Sequence, residues 1–185
     1  MASDENPIYR DAIGDIAPRD SAGYGKNRYV DYSGRNDIVE CFVSHDAEKV
    51  TFRVECAAPI TQHTDKSWMR LFVSVALDAD DRRPNWNHFH FVANRVSPPD
   101  GRTAVLESSE GGWKWREAVR VPMKVEGKSL TLVLPRKVLG LDRGKVNLWF
   151  KWSDNSIGEK GDVLDFYRRG DAAPDGRFMY RYFER

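Results

Sequence analysis

The most constraining feature of this sequence is a run of strictly alternating polar and apolar residues in its first half. Lys49–Cys56 reads K-V-T-F-R-V-E-C, with an apolar residue at every second position. Because successive side chains of a strand point to opposite faces, this pattern predicts a β-strand with one buried and one solvated face. An amphipathic helix needs an apolar repeat near 3.6 residues, which this run lacks.

The period of two recurs along the chain, whereas helical periodicity is almost absent. Further strands are predicted at Asn36–Ser44, Trp68–Leu77, Phe89–Asn94, Arg102–Glu107, Ala118–Val125, Ser129–Leu134, Val146–Trp152 and Arg177–Phe183. Only Arg136–Leu141, after Pro135, has the character of a helical turn. About nine or more short strands predict an all-β fold, a single antiparallel β-sandwich of the immunoglobulin or jelly-roll kind.

The domain organisation follows from where the alternation begins. Residues 1–34 show no sustained period, and we expect an irregular N-terminal segment packed on the sandwich. Residues 35–185 are expected to form the sandwich itself, so the chain is one domain overall.

Composition and charge exclude several classes of protein. Hydrophobic residues make up 41% of the chain and the mean hydropathy is -0.62, as in ordinary globular proteins. The formal net charge is +1, without the basic excess that nucleic-acid binding usually requires. No apolar run is long enough to span a bilayer, so neither nucleic acid nor membrane is an expected partner. There is also no signal peptide, and we expect this sequence to be part of a longer extracellular or periplasmic protein.

The two cysteines are predicted to be free thiols. If Phe42 pairs with Phe52, Cys41 points outward and Cys56 points inward. Thiols on opposite faces of a sheet are too poorly aimed to form a disulfide.

No catalytic motif is found, so an enzyme is not expected. The sequence lacks G-x-S-x-G, a phosphate-binding glycine loop and H-E-x-x-H. His88 and His90 form H-x-H on a predicted strand, which could hold a transition metal if a third ligand approaches. Two polar residues on a solvated face are the plainer interpretation, and a metal enzyme is the least favoured class.

Acidic residues in loops favour a structural calcium ion, because calcium takes several oxygen ligands in a flexible arrangement. The predicted ligands are Asp78, Asp80, Asp154 and Asp162. The N-terminal carboxylates, Asp11 and Asp15 among them, could also hold an ion, and Asp171 with Asp175 forms another acidic group. Solvated carboxylates are the alternative in each case.

Three tryptophans in predicted loops resemble the building material of sugar sites, where a ring stacks on C–H groups and polar side chains bind hydroxyls. Trp113 and Trp115 follow two glycines in S-E-G-G-W-K-W, and Trp86 lies in P-N-W-N. The alternative is that these rings cover the open ends of the sandwich.

Several runs resemble family 9-like carbohydrate-binding modules, which belong to the DOMON-like β-sandwiches. They are G-R-N-D-I-V at 34–39, H-D-A-E-K-V-T-F-R-V at 45–54, the segment 57–73, F-V-A-N-R at 91–95, G-G-W-K-W at 111–115, F-K-W-S-D-N at 150–155, G-D-V-L-D-F-Y at 161–167 and G-D-A-A-P-D-G-R-F at 170–178. The resemblance covers about residues 9–183. It implies a non-catalytic module that binds a polysaccharide or oligosaccharide and targets an attached bacterial glycoside hydrolase to it.

The resemblance also implies a sugar site. Trp68, Asn94 and Arg95 match family positions that hold the sugar, whereas 171–176, where the second tryptophan is expected, has no aromatic residue. Trp113 or Trp86 could take that place. Calcium is the only cofactor expected.

Two other functions stay open. Some DOMON-like domains bind haem for electron transfer, and Met69, His88, His90 and Met123 are available as ligands. A structural interdomain module without its own ligand is the third class.

Overall fold

The computed structural model of the protein describes residues 7–16, 18–77, 80–156 and 160–184. The strands are β1 (Ile8–Arg10), β2 (Arg19–Ala22), β3 (Arg28–Asp31), β4 (Ile38–His45), β5 (Lys49–Cys56), β6 (Arg70–Ser74), β7 (Phe91–Ala93), β8 (Thr103–Gly111), β9 (Lys114–Glu126), β10 (Ser129–Pro135), β11 (Asn147–Asp154), β12 (Asp171–Ala173) and β13 (Tyr180–Phe183). Two single-turn helices, α1 (Arg136–Leu139) and α2 (Asp165–Arg168), complete the described part. No helix among these residues is long and apolar enough to cross a membrane.

The predicted all-β antiparallel fold is confirmed. Eleven of the described strands form one sheet in the order β1-β4-β5-β10-β9-β8-β7-β6-β11-β12, with β13 also paired to β11. This sheet folds over at the long strand β9, whose two ends pair with β8 and with β10. The first layer is β1, β4, β5 and β10, and the second is β6 to β8 with β11 to β13.

The main core lies between the two layers. Val50, Phe52, Val54 and Cys56 of β5 are completely buried, as the alternating pattern predicts. The Phe52 ring lies 5.6 Å from that of Phe150 in β11, and this contact joins the layers. Burial of one such aromatic side chain contributes about 1.5–3 kcal/mol, so this interface dominates the stability of the fold.

The register of β4 on β5 corrects the prediction for Cys41. Val43, and not Phe42, pairs with Phe52, so Cys41 faces the core on the same side as Cys56. Both thiols are free, as predicted, but Cys41 is buried like Cys56 and does not point outward as expected. Cys41 pairs with Val54 and is therefore a diagonal neighbour of Cys56, about 7–8 Å away and beyond disulfide range. Burial raises the pKa of both thiols.

The N-terminal segment contains more regular structure than the sequence indicates. Strand β1 extends the first layer by pairing with β4, and β2 and β3 form a separate hairpin. The hairpin is tied to the loop before β12, because Asp31 accepts the Gly170 amide and Arg19 donates to the Gly170 carbonyl. Gly170 has a φ of 68° and packs on the backbone of Asp154, where a side chain would not fit. These strands are short and mostly exposed, which is why no alternation marks them.

Candidate functional site

Loops cover most of the outer face of the second layer. Phe72 of β6, Val92 of β7 and Lys151 of β11 point away from the main core, yet each is completely buried. The covering residues include Phe89 and Phe166 of α2, whose ring centres lie 5.1 Å and 5.7 Å from that of Phe72. This second hydrophobic cluster gives the outer face a rigid base.

Trp113 and Trp115 lie at the edge of these covering loops, at the tip of the β8–β9 hairpin. Gly111 and Gly112 both have positive φ, 96° and 55°, which allows the chain to reverse immediately before Trp113. The Trp113 ring lies 4.6 Å from that of Trp86 and 5.7 Å from that of Trp115, in both cases edge to face. Trp113 and Trp115 are only half-buried, so part of each ring faces solvent.

The Arg95–Glu107 ion pair lies on the side of the sheet to which Trp115 points. Glu107 is 3% exposed, and Nε of Arg95 donates to it at 2.8 Å. Ser109 is two residues further along β8 and is directly opposite Trp115 on β9. Strand alternation therefore places the Glu107 carboxylate, Ser109 and Trp115 on one side of the sheet. The Arg95 side chain remains 27% exposed.

Only three of the six predicted sugar-binding residues keep exposed surface at this site. Trp68 is 1% exposed in the main core and donates its indole N–H to the Thr61 carbonyl, so neither ring face is open for the predicted stacking. Trp86 is 7% exposed and donates to the Gly161 carbonyl at 3.1 Å, which leaves no open ring face. Asn94 is buried and donates to the Met69 carbonyl. Trp113, Trp115 and Arg95 remain.

The three predicted calcium ligands that the structure describes, Asp80, Asp154 and Asp162, do not come together. Asp154 is completely buried and accepts hydrogen bonds from Nε of Arg35 at 2.7 Å and from the Met69 amide at 3.0 Å. Asp162 pairs with Arg168 at 3.2 Å, and Asp80 is exposed. Asp78 lies outside the described residues. Over the described ranges, the acidic groups with closely spaced oxygens are Asp11, Asp15 and Asp175, and Asp15, Asp37 and Asp171.

The candidate haem ligands lie on different faces of the fold. Met69 and Met123 are buried in the main core between the layers. His90 is 5% exposed outside this core, and His88 lies in an exposed turn with a φ of 73°. Strand β7 begins only at Phe91, so the two histidines do not share a strand face as predicted.

Ser74, His90 and Asp81 form a chain that sequence reasoning missed. Nδ1 of His90 accepts the Val75 amide and lies 3.3 Å from the Ser74 hydroxyl, while Nε2 lies 3.0 Å from Asp81. Because Nδ1 is an acceptor, the ring proton is on Nε2, facing the carboxylate. Ser74 is completely buried and its hydroxyl donates to the Ala76 carbonyl. The arrangement therefore orders the loop after β6 and presents no accessible nucleophile.

Comparison with protein-family models, curated proteins and solved structures finds no match to this chain. The similarity to family 9-like carbohydrate-binding modules therefore stays a prediction from the sequence.

Proposed function

We propose that this domain is a non-catalytic carbohydrate-binding module whose site is formed by Trp113, Trp115 and the Arg95–Glu107 pair. The observation that carries the proposal is the position of the tryptophan pair, which is partly exposed on a rigid aromatic base and shares its side of the sheet with the partly exposed Arg95–Glu107 ion pair. In this proposal the domain delivers an attached polysaccharide-degrading enzyme to its glycan in an extracellular or periplasmic setting.

The aromatic part of the site suits the apolar faces of sugar rings. A pyranose presents C–H groups on one face and hydroxyls around its edge, and tryptophan offers the largest flat apolar surface among the side chains. Trp113 is held by Trp86 and by the backbone of Gly161, which lies against its ring. Because the ring is fixed before a ligand arrives, little side-chain entropy is lost on binding.

The polar part of the site supplies directional hydrogen bonds. Arg95 directs two nitrogens, Nε and Nη2, to Glu107, and its guanidinium has further N–H groups to donate to sugar hydroxyls. Glu107 fixes the plane of the guanidinium, since a bidentate pair holds both partners in one geometry. The indole N–H of Trp115 is buried and donates to no acceptor among the described residues, so the directional bonds to a sugar come from Arg95.

Glycan binding is tested with an oligosaccharide panel that includes neutral and uronic-acid-containing chains, followed by calorimetry on the strongest ligand. Trp115→Ala and Arg95→Ala are each expected to weaken binding at least about tenfold, which corresponds to about 1.4 kcal/mol. Tyr24→Ala is the matched control, because this aromatic ring is 82% exposed on the separate β2–β3 hairpin. Thermal unfolding of each variant checks that the fold is retained.

Two results would remove the proposed site. One is unchanged affinity in folded Trp115→Ala and Arg95→Ala proteins. The other is an equal loss of affinity in Tyr24→Ala, which would place the ligand on the N-terminal hairpin instead.

A further inference from the structure

The Arg95 guanidinium uses only one of its two hydrogen-bonding edges. Its Nε and Nη2 both donate to Glu107, which occupies one edge of the planar group. Within the part of the chain that the structure describes, Glu107 is the one acceptor that Arg95 contacts, and the arginine side chain is 27% exposed. A guanidinium carries five N–H groups, so the edge formed by Nη1 and Nη2 is open to a second acceptor.

A second guanidinium lies beside Arg95 on the same side of the sheet. Arg70 is two residues from Phe72 in β6, and strand alternation therefore places it on the outer face, where it is 7% exposed. Burial and the neighbouring Arg95 lower the pKa of Arg70 to about 10, and Glu107 opposes this effect. Because the two arginines repel each other, one further negative charge beside Arg95 stabilises both.

The nearby carboxylates are already engaged with arginines. Each carboxylate that attracts Arg70 has another arginine as its partner. The pairs are Glu107 with Arg95, Asp154 with Arg35 at 2.7 Å, and Asp165 with Arg168 at 3.9 Å and with Arg169 at 3.3 Å. None of these carboxylates reaches the open edge of Arg95, so the acceptor for that edge comes from a ligand.

The open edge lies close to the tryptophan surface. Ser109 is directly opposite Trp115, so Glu107 and Trp115 are diagonal neighbours on β8 and β9, and such neighbours are about 7–8 Å apart. A glycan that stacks on Trp115 therefore passes beside Arg95. The exposed Lys114, between the two tryptophans, adds positive charge along this path and favours the approach of an anion.

We infer that the glycan bound at this site is anionic, with a sugar carboxylate or sulfate on the Nη1–Nη2 edge of Arg95 and a sugar ring on Trp115. Carboxylates and sulfates offer two acceptor oxygens to one guanidinium edge, whereas a hydroxyl offers a single oxygen. Hydrogen bonds between charged groups are also about twice as strong as those between neutral groups. Anion recognition of this kind depends on the proposed carbohydrate-binding function and adds the chemical class of the sugar.

The test compares acidic oligosaccharides with their own neutral forms. Oligogalacturonate is measured against its methyl ester, and a κ-carrageenan oligosaccharide against its desulfated form, by calorimetry at low and high salt. The acidic form of one pair is expected to bind at least about tenfold more tightly than its neutral form, and to lose this advantage as salt screens the charges. The pair that shows the difference identifies the anion as a carboxylate or a sulfate.

Arg95→Gln removes the positive charge and keeps a hydrogen-bond donor. It is expected to abolish the preference for the acidic form, while the affinity for the neutral form changes by less than about threefold. Arg53→Gln is the matched control, because Arg53 pairs with Glu55 on β5 in the other layer. If Arg95→Gln fails to fold because Glu107 loses its partner, the double variant Arg95→Gln/Glu107→Gln, which removes both charges, replaces it.

Three outcomes would overturn the anionic class, and they differ in what they mean for the proposed function. Neutral forms that bind as tightly as the acidic ones, with binding lost in Trp115→Ala, would leave a carbohydrate-binding module without anion recognition. A preference for the acidic form that survives in folded Arg95→Gln would place the anion elsewhere on the surface. Absence of binding to every oligosaccharide, acidic or neutral, would remove the proposed function as well.

Discussion

Replacement of Asp154 by alanine removes a carboxylate that the structure uses as an internal clamp. Asp154 is completely buried, accepts from Arg35 and from the Met69 amide, and so links the segment before β4 to the beginning of β6. Burial raises the pKa of this carboxyl, and the Arg35 guanidinium opposes that effect. The alanine variant leaves one buried amide without its acceptor. It also leaves a guanidinium, on a side chain only 17% exposed, that keeps the Lys66 carbonyl and the more distant Asp65 carboxylate, 3.6 Å away.

The expected loss is large for a single substitution. Removing one partner of a buried ion pair costs about 3–5 kcal/mol, since the other charge stays buried. For a chain of this size, that corresponds to a fall in Tm of roughly 6–20 °C. Urea unfolding followed by tryptophan fluorescence measures the change, with Asp20→Ala as an exposed ion-pair control that should lose far less.

The same experiment separates the clamp from the calcium role that the sequence suggests for Asp154. We expect Asp154→Ala to lose the same unfolding free energy in EGTA and in calcium, because Asp154 belongs to neither group of closely spaced carboxylates. A loss below about 1 kcal/mol, or one seen only when calcium is present, would refute this reasoning.

Three further predictions follow from backbone geometry and titration. Gly170→Ala should prevent folding or cost several kcal/mol in thermal unfolding, whereas Gly127→Ala, with a similar φ but open space, should cost about 1 kcal/mol; equal costs would contradict the packing argument. Both buried thiols should resist a thiol reagent in the native protein and react after denaturation; native labelling would show that the register is wrong. In EGTA, burial and the neighbouring Asp15 raise the pKa of Asp171 to about 8. Between about pH 4 and 8 the folded state therefore holds one proton more than the unfolded state. Its contribution to the unfolding free energy therefore falls by up to about 1.4 kcal/mol per pH unit from pH 5 to 7, and Asp15→Asn should reduce this fall in Tm scans; an identical pH profile in the variant would contradict it.

The strands were predictable because alternation is a local property of the sequence. The whole of β5 was predicted to the residue. The pairing of β4 was not, because the turn between β4 and β5 sets a register in which His45 pairs with Val50 and Cys41 with Val54, which puts Cys41 on the inner face. The exact length of a hairpin turn leaves no mark in the apolar pattern.

The site depended on contacts that the sequence cannot show. Alternation along β11 places Lys151 on the outer face, opposite to Phe150, but its burial there comes from α2 and from the segment after β12. Trp68 and Trp86 have the composition of a sugar platform and lie in hydrophobic cores, because the loops that cover them come from elsewhere in the chain. Glu107 could have been noticed as the one carboxylate in the apolar run A-V-L-E of β8.

The closely spaced carboxylates of Asp11, Asp15, Asp37, Asp171 and Asp175 show the same limitation. In the sequence, Asp11 with Asp15 and Asp171 with Asp175 are separate acidic groups at opposite ends, and Asp37 belongs to neither. Only the pairing of β12 with β11 and the docking of the N-terminal segment bring them together.

The central claim is that Trp113 and Trp115 form the sugar-binding surface, and indole-labelled NMR tests it most directly. Each of the six tryptophans gives one indole N–H signal in a protein labelled with ¹⁵N at that position. Titration with the best ligand of the oligosaccharide panel is expected to shift the signals of Trp113 and Trp115 and to leave those of the core residues Trp68 and Trp152 in place. Saturable binding that leaves the Trp113 and Trp115 signals unmoved, or a panel in which no glycan moves any signal, would contradict the account.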